Sequence, residues 1–287
     1  MQGIIIKGIG GFYYVKAEDS NIYECKARGI FRKENIKPMI GDRVLIAVTD
    51  SQHGSIDKIE PRITELIRPP VANIDTLIIV CAAKNPDPDF YLTDKLLLIA
   101  ELKGITPALC INKTDLESAK KIKEVYKNTG YRIFEACAAE DRLPDGLDDF
   151  LKGKTTAFAG LSGVGKSSIL NMIVDRSVET GSISEKIGRG KHTTRHVELF
   201  ELDGGGFVLD TPGFSSLQPD MTDCSELALY FPEMAALSSE CRFKGCAHIS
   251  EPDCAVKNAL SLGKISEERY LSYTKMYEIL KNRKPWE

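Results

Sequence analysis

The chain has 287 residues and a formal net charge of −3, and 43% of its residues are hydrophobic and 28% charged. This composition is typical of a soluble globular protein with room for two or three domains. The longest apolar run, TLIIVCAA at residues 76–83, is far shorter than the roughly 20 residues that span a bilayer, and the N-terminus lacks the features of a signal peptide. We therefore expect a cytoplasmic protein without membrane contact.

The first 68 residues predict a series of short strands. The segments GIIIKGIGGFYYVKA, NIYECKARGIF, DRVLIAVTD and GSIDKIE are rich in β-branched and aromatic residues and are bounded by Gly, Asp and Asn. Several short strands without a long helical pattern predict a small barrel or sandwich. A proline-rich segment with Pro69 and Pro70 then marks a domain boundary.

The next part of the chain alternates between strand and helix patterns. The strand-like segments are TLIIVCAA, TPALCIN, YRIFEACA and TTAFAG, and the helical ones are DFYLTDKLLLIAELKG, ESAKKIKEVYKNTG and DGLDDFLKG. This alternation predicts an α/β domain whose parallel sheet is covered on both faces. After another helix, SSILNMIV, and two strands, HVELFEL and GGFVLD, the pattern becomes helical from Met221 onward.

The segment GLSGVGKS at residues 160–167 has the pattern of a phosphate-binding loop, between a predicted strand and a predicted helix. Glycines let backbone N–H groups converge on a phosphate, and the helix presents the positive end of its dipole. Lys166 would reach the β- and γ-phosphates, and the Ser167 hydroxyl would bind Mg²⁺. The residues predicted to hold the phosphates are Gly160, Leu161, Ser162, Gly163, Val164, Gly165, Lys166, Ser167 and Ser168.

A second motif, VLDTPGF at residues 208–214, ends a β-branched strand. Asp210 is placed to hold Mg²⁺ through water, and the Gly213 N–H would contact the γ-phosphate because glycine allows close backbone approach. Between the two motifs, EKIGRGKHTTRHVEL would wrap the nucleotide and supply a second hydroxyl to Mg²⁺. We favour Thr194 over Thr193 for that hydroxyl.

The tetrapeptide NKTD follows a predicted strand and comprises Asn112, Lys113, Thr114 and Asp115. A carboxylate at Asp115 can accept from N1–H and the exocyclic amine of guanine, two donors that adenine does not offer in this geometry. Asn112 would bond the base edge and pack the loop, and the Lys113 stem would lie over the base. Ala136 and Cys137 would donate from the backbone to guanine O6. The predicted ligand is therefore a guanine nucleotide, GTP or GDP.

The cysteines fall into two groups. Cys81, Cys110 and Cys137 lie in apolar runs, where a buried thiol acts as a small hydrophobe. Cys25 and Cys224 are also dispersed, and the remaining three cysteines lie in CRFKGCAHISEPDC, with the spacing C-x4-C-x-H-x5-C. Three thiolates and an imidazole suit tetrahedral Zn²⁺, and four protein ligands leave no open position for catalysis. We therefore predict a structural zinc site formed by Cys241, Cys246, His248 and Cys254.

The order of the motifs is unusual, because the base-reading tetrapeptide precedes the phosphate loop. This order indicates a circular permutation, with the cut just after DTPGF and the old ends joined. With GLSGVGKSS, KHTTRH, DTPGF, ARGIFRKENIKPMIGDRV and the cysteine cluster, essentially the whole chain resembles the RsgA (YjeQ/YloQ) family of ribosome-dependent, circularly permuted GTPases. One departure is Ala136, where the family usually has serine in the base-contacting turn.

The resemblance implies an OB-fold RNA-binding domain at residues 1–68, a circularly permuted phosphate-loop GTPase domain at 69–218, and a helical zinc-binding domain at 219–287. It also implies a GTP-hydrolysing factor for late maturation of the 30S ribosomal subunit, with 16S rRNA as a partner and hydrolysis stimulated by the small subunit. We expect the protein to act as a monomer.

The residue after Gly213 bears on the mechanism of hydrolysis. Phe214 stands where Ras-like enzymes have the glutamine that orients the attacking water, a task that an aromatic ring cannot perform. Hydrolysis is therefore slow alone, or it uses a group from elsewhere. We predict that His192 positions the water, with Lys166 and Thr194 as the other catalytic residues.

Basic residues gather in three segments: Lys26, Arg28, Arg32, Lys33 and Lys37; Lys186, Arg189, Lys191 and Arg195; and Lys275, Lys281, Arg283 and Lys284. Three such clusters, one on the predicted barrel, favour phosphate contacts with structured RNA. An alternative function is a nucleotide-gated RNA-binding module in which hydrolysis is incidental. A translation-factor-like or tRNA-modifying GTPase would not explain the permutation together with the zinc cluster.

Overall fold

The computed structural model describes residues 1–67, 69–180, 197–210, 217–221 and 223–283, without the side chains of residues 32, 33, 178–180 and 210. The chain divides into two compact units, the first comprising residues 1–77, 145–159 and 166–214, and the second residues 78–144, 160–165 and 215–287. These units interleave along the chain and differ from the three predicted domains, whose boundaries stay predictions. Within the described ranges, no helix has both the length and the apolar character to cross a membrane.

Five strands of the first unit close into a barrel. They are β1 (Gln2–Ile9), β2 (Phe12–Ala17), β3 (Ile22–Ala27), β4 (Arg43–Val48) and β5 (His53–Ile59), and their order is β1-β2-β3-β5-β4. Neighbouring strands are antiparallel except β3 and β5, which are parallel. A short helix, α1 (Gly29–Lys33), precedes β4. A closed five-stranded barrel of this kind is OB-like, and the predicted small barrel is therefore confirmed.

The barrel forms because apolar residues alternate along its strands. In β2, for example, Val15 and Ala17 are buried and the residue between them is only half-buried. Period-two alternation places every second side chain on one face of a strand, and closing the sheet turns that face inward. The barrel core consists of Ile5, Val15, Ala17, Tyr23, Cys25, Phe31, Val44, Ile46 and Ile56. A two-stranded sheet of β6 (Glu65–Leu66) and β7 (Val71–Ala72) follows the barrel.

The first unit also contains strands from the predicted α/β domain. β11 (Thr155–Ala159) is parallel to β13 (Phe207–Asp210), and β12 (Phe200–Glu201) is antiparallel to β13. The helices are α4 (Leu147–Leu151) and α5 (Lys166–Thr180).

The predicted strand HVELFEL, residues 196–202, is shorter in the structure, where only β12 pairs with β13. The residues just before β12 bond to the barrel instead. Leu199 N donates to Ile6 O at 2.9 Å, and Lys7 Nζ lies 2.9 Å from Glu198 Oε2. These bonds explain why the regular pairing of the segment begins only at Phe200.

In the second unit, strands β8 (Thr76–Ala82), β9 (Thr106–Asn112) and β10 (Arg132–Glu135) are neighbours in the order β10-β9-β8. β10 and β9 are parallel. Every residue of β8 is buried, as expected for a strand of a parallel sheet covered on both faces. The predicted strand–helix alternation is confirmed by α2 (Phe90–Leu102) and α3 (Lys120–Tyr126), which separate these strands along the chain.

The C-terminal region of the second unit is helical, as predicted. It contains a 3-10 helix (Cys224–Tyr230) and the helices α6 (Pro232–Ser238), α7 (Ala255–Ser261) and α8 (Glu267–Lys281). Ser266 begins α8, and its Oγ accepts from the Arg269 N–H at 3.1 Å, so one of the open donors of the first turn is satisfied. The helices share a core with Leu98 of α2; its other buried members include Leu227, Phe231, Met234, Val256 and Tyr273.

Candidate functional site

The side-chain amide of Asn112 joins the predicted base loop to the phosphate loop. Asn112 is the last residue of β9 and is almost fully buried. Its Nδ2 donates to Val164 O at 2.9 Å, and its Oδ1 accepts from the Ala138 N–H at 3.1 Å. Both ends of the amide are therefore used inside the protein. The structure brings together two segments that the sequence separates by several elements, including α3, β10, α4 and β11.

The next two residues of the tetrapeptide also contact neighbouring segments. Lys113 has a left-handed backbone with φ +61°, and its Nζ donates to Asn85 O. Thr114 Oγ1 donates to Ala136 O at 3.0 Å and accepts from Arg142 Nη2 at 3.1 Å. These bonds hold the two residues before Asp115 against the segments that contain Asn85, Ala136 and Arg142.

Asp115 is exposed at the end of this loop. Its Oδ1 accepts from Cys137 Sγ, with the two atoms 3.2 Å apart. An exposed carboxylate beside a buried turn is accessible to a ligand that offers two donors. The arrangement is therefore compatible with recognition of a guanine edge.

The turn after β10 contains the two residues predicted to contact guanine O6. Ala136 and Cys137 are fully buried, and both N–H groups donate within the protein, Ala136 to Ile111 O at 2.8 Å and Cys137 to Arg142 O at 3.0 Å. Both N–H groups are therefore used within the protein in this structure, and their donation to guanine O6 stays a prediction. The side chain of this turn that contacts Asp115 is that of Cys137. The contact therefore does not depend on a serine at position 136, where this chain has Ala136.

The phosphate loop needs glycine at two positions for steric reasons. Gly160 has φ +141°, and a Cβ atom there would lie 2.1 Å from Val80 O. Gly165 has φ +92°, and a Cβ atom there would lie 2.3 Å from Asn112 Nδ2. Any larger residue at Gly165 would therefore push away the amide that connects the two loops.

The remaining loop residues differ in their exposure. Val164 is buried, Leu161 is half-buried, and Ser162 and Gly163 are exposed. The helix α5 begins at Lys166 and continues for 15 residues, with Ser167 and Ser168 in its first turn. The N-terminus of a helix of this length favours negative charge.

Several predicted site residues lie outside the described part of the chain. They are His192, Thr193, Thr194, Gly213 and the side chain of Asp210. The backbone of Asp210 ends β13, in parallel register with Phe158 of β11. β11 leads directly into Gly160, so Asp210 and the phosphate loop follow the carboxyl ends of two neighbouring strands, where ligands of α/β sheets bind.

The four predicted metal ligands form a compact cluster in the C-terminal region. The ligand atoms of Cys241, Cys246, His248 and Cys254 all lie within 4.8 Å of one another. Cys241 Sγ lies 3.9 Å from Cys254 Sγ, and His248 Nδ1 lies 3.6 Å from Cys241 Sγ and 3.3 Å from Cys254 Sγ. A tetrahedron with metal–sulfur bonds of about 2.3 Å has edges of about 3.8 Å. The cluster therefore has the donor types and spacing to hold a metal ion.

Neighbouring residues orient this cluster. His248 Nε2 lies 3.2 Å from Ser238 Oγ, which itself donates to Met234 O. Nε2–H is therefore the donor in this contact, and the Nδ1 lone pair faces the thiols. Tyr270 and Tyr273 of α8 donate to the carbonyls of His248 and Ala247, both at 2.7 Å, so α8 packs directly on the cluster loop.

Local electrostatics also suit a cation in this cluster. Burial, with the neighbouring Cys254 and Cys241, raises the pKa of the Cys246 thiol to about 12. Such a thiol stays protonated at neutral pH unless a positive charge lies beside it, and a metal ion would supply that charge. Burial lowers the pKa of His248 and so favours the neutral imidazole that metals bind.

A buried ion cluster beside these helices was not predicted from the sequence. Arg269 of α8 is 1% exposed. Its Nη1 lies 2.7 Å from Asp94 Oδ1 of α2, and its Nε lies 2.7 Å from Glu233 Oε1 of α6. Tyr126 of α3 donates to the same Asp94 oxygen at 2.8 Å. Arg269 therefore connects the helical C-terminal region to the helices around β8, β9 and β10.

Comparison with known proteins points to one family over the whole chain. A family model described as RsgA GTPase matches residues 59–220, and one described as RsgA N-terminal domain matches residues 2–56. A protein named small ribosomal subunit biogenesis GTPase RsgA, from Ruminiclostridium cellulolyticum, is 49% identical over 286 residues, which cover 98% of this chain and 94% of the relative. The protein of the same name from Agathobacter rectalis is 46% identical and is aligned over 100% of both chains.

Two solved structures are similar over nearly the full length. YjeQ from Thermotoga maritima superposes with a TM-score of 0.85 at 35% identity, covering 99% of both chains. YloQ, described as a circularly permuted GTPase, superposes with a TM-score of 0.81 at 37% identity, covering 99% of this chain and 96% of YloQ. The similarity therefore extends through the barrel, the α/β strands and the C-terminal helices.

Proposed function

Because this chain belongs to the RsgA family of GTPases, and is therefore a GTP-hydrolysing enzyme, we propose that it acts in the biogenesis of the small ribosomal subunit. The predicted family and fold class are confirmed: a circularly permuted GTPase core with an N-terminal OB-like barrel and a helical C-terminal region. The role in the small subunit rests on the names of the relatives. The observation that carries the nucleotide-binding part of the proposal is the amide of Asn112, which joins the base loop to the phosphate loop despite their reversed order.

In this proposal Asp115 reads the guanine base. Its carboxylate is exposed and accepts from the N1–H and 2-amino groups, while Asn112 holds the loop and the Lys113 stem covers the base. Adenine lacks this pair of donors, so binding ATP would leave the carboxylate without its partners. The selectivity for guanine therefore depends on the position of one carboxylate.

The phosphates bind along residues 160–168. Backbone N–H groups of the loop and the start of α5 face the anion, and the Lys166 ammonium contacts the β- and γ-phosphates. Ser167, Thr194 and Asp210 would hold the Mg²⁺ that accompanies GTP, with Gly213 contacting the γ-phosphate. When bound, Mg²⁺ neutralises charge that develops on the phosphate oxygens.

We assign zinc to the cysteine–histidine cluster. Three thiols and one imidazole are the donor set of structural zinc sites, and the distances between their ligand atoms fit a tetrahedron. All four positions would be filled by protein, so the ion serves folding and not catalysis.

Hydrolysis is proposed to depend on His192, which positions the attacking water, with Lys166 and Thr194 stabilising charge on the phosphates. Substituting His192→Ala should abolish turnover stimulated by the small subunit and leave GTP affinity unchanged, because the side chain acts on water and not on the nucleotide. Single-turnover hydrolysis, with and without the small subunit, and GTP titration of the wild type and the variant would measure this. Unchanged stimulated kinetics would contradict the role.

The proposed partner is the 30S subunit in the bacterial cytoplasm, contacted through 16S rRNA by the monomeric protein. In the GTP-bound state the barrel and the C-terminal region would dock on the small subunit, and hydrolysis on the mature particle would release the protein. The test is GTP hydrolysis by the full chain with purified 30S subunits, with 50S subunits as the control. Faster hydrolysis with 30S subunits but not with 50S subunits supports the proposal. If 30S subunits do not stimulate hydrolysis, the alternative is favoured, an RNA-binding module with incidental hydrolysis.

A further inference from the structure

The cysteine–histidine cluster is open to solvent on one side. Cys241 and Cys246 are half-buried, whereas Cys254 and His248 are buried. Residues 242–245, which connect the two half-buried cysteines, are all exposed. A small oxidant in solution therefore meets Cys241 or Cys246 before it meets Cys254.

One accessible thiol and one buried thiol lie next to each other in this cluster. Cys241 Sγ is 3.9 Å from Cys254 Sγ. Cys241 follows the end of α6, and Cys254 is the N-cap of α7, where its Sγ accepts from the Lys257 N–H at 3.5 Å. A disulfide bond is about 2 Å long, so a small movement of two helix ends would bring the sulfurs to bonding distance.

We propose that Cys241 and Cys254 form an oxidation site: a peroxide joins their sulfurs in a disulfide bond and so removes two of the four zinc ligands. The inference rests on the proposed assignment of zinc to this cluster. The Cys241 sulfur, which metal binding keeps as a thiolate, attacks one peroxide oxygen, so that the O–O bond breaks and a sulfenic acid forms. The Cys254 sulfur then attacks the sulfenic sulfur, and the oxygen leaves as water.

The reaction balances without a further co-reactant. The two thiolates give up two electrons, and hydrogen peroxide accepts them with two protons from solvent and becomes two water molecules. Only Cys246 and His248 then remain as ligands, and structural zinc sites use four. The oxidised chain therefore releases the ion, and a dithiol reductant with added zinc restores the site because the disulfide is reversible.

Oxidation should also loosen the helices that contact the cluster. Tyr270 and Tyr273 of α8 donate to the carbonyls of His248 and Ala247 in the cluster loop, and α7 begins at Cys254 itself. Both helices therefore lose part of their support when the ligands are rearranged. Peroxide treatment should speed hydrogen exchange of the α7 and α8 amides and leave that of the barrel strands unchanged.

The test is zinc release from the full zinc-containing chain in hydrogen peroxide, followed with a chromogenic chelator, and peptide mass spectrometry to locate the disulfide. Two matched variants keep four ligands, two thiols and two imidazoles, which also suit structural zinc. Cys241→His removes the proposed pair, and Cys246→His retains it. Release should be about tenfold or more slower in Cys241→His than in Cys246→His, because only the latter has both partners of the disulfide. Cys224→Ser, outside the cluster, should release zinc like the wild type.

The outcomes separate this inference from the proposed function. A disulfide between Cys241 and Cys254, with zinc release that a dithiol and added zinc reverse, supports the oxidation site. Zinc retained in peroxide, equal release from the two histidine variants, or a disulfide between other cysteines overturns the inference while the zinc assignment stands. If either histidine variant does not bind zinc, the disulfide located in the wild type decides. A wild-type chain without zinc would refute the assignment and this inference together.

Discussion

The N-terminal barrel and the C-terminal helical region are both small, and they are stabilised in different ways. The barrel is a closed sheet of hydrogen-bonded strands around a cluster of buried apolar side chains. The C-terminal region consists of short helices, and it adds a cysteine–histidine cluster and the buried Arg269 to its apolar core. Small regions bury little apolar surface, so metal ligands and buried charges become important where the secondary structure is short.

If the C-terminal region depends on its metal ligands as described, the largest effect of a substitution is expected at the metal cluster. His248→Ala removes one of four ligands, and we expect bound zinc to fall from about one ion per chain to near zero, because structural sites need their full ligand set. The metal content of purified chains, measured by mass spectrometry, checks this. Cys224→Ala is the control, since Cys224 lies in the same region and outside the cluster. A wild-type chain without zinc would contradict the assignment.

A second prediction concerns the buried charges. Arg269→Met leaves Asp94 and Glu233 buried without their partner, and we expect a loss of about 3–5 kcal/mol in the stability of this region. Hydrogen exchange of the α6 and α8 amides measures the loss locally. Because the cost comes from unpaired charge, adding Asp94→Asn and Glu233→Gln to the same chain should recover part of it.

An exposed ion pair in the same region serves as the matched control for this experiment. Arg242 Nη1 lies 2.7 Å from Asp253 Oδ2, and both side chains are 64% exposed. Exposed pairs contribute little to stability, so Arg242→Met should leave the exchange rates of α6 and α8 unchanged. Equal effects of Arg242→Met and Arg269→Met would show that burial of the charge is not the cause.

The smallest effect is expected in the barrel. Ile56→Val removes one methylene group from a fully buried position and should cost about 0.5–1.5 kcal/mol. Faster hydrogen exchange in β4 and β5, with unchanged zinc content, would measure this cost. A change in zinc content would mean that the two regions do not differ in the way described above.

The sequence predicts those elements that are determined by patterns among residues close together along the chain. The barrel strands follow from alternation, and the metal ligands follow from the spacing of Cys241, Cys246, His248 and Cys254, which the structure brings together. The segment 117–119 was predicted to be helical, but α3 begins at Lys120 after a turn in which Ser118 Oγ accepts from the Lys120 N–H at 3.3 Å. Such a turn competes with a helix start and has no strong pattern of its own.

Long-range contacts were not predictable in this way. Arg269 lies in a charged stretch typical of a solvated helix, and its partner Asp94 is far away along the chain. Cys137 was expected to contribute its backbone, yet its N–H is paired with Arg142 O and its thiol contacts Asp115. Both contacts were missed for the same reason, because one sequence gives the type of each side chain and not its distant neighbours.

The central claim is that the displaced tetrapeptide reads the base, and titration of Asp115→Asn with GDP and xanthosine diphosphate tests it most directly. Xanthine has an oxygen in place of the 2-amino group, so an amide at position 115 pairs with it and no longer with guanine. We predict that GDP affinity falls about 100-fold or more and that the preference reverses, while the exposed Asp141→Asn on the adjacent turn changes neither. Unchanged GDP affinity in Asp115→Asn would contradict the account.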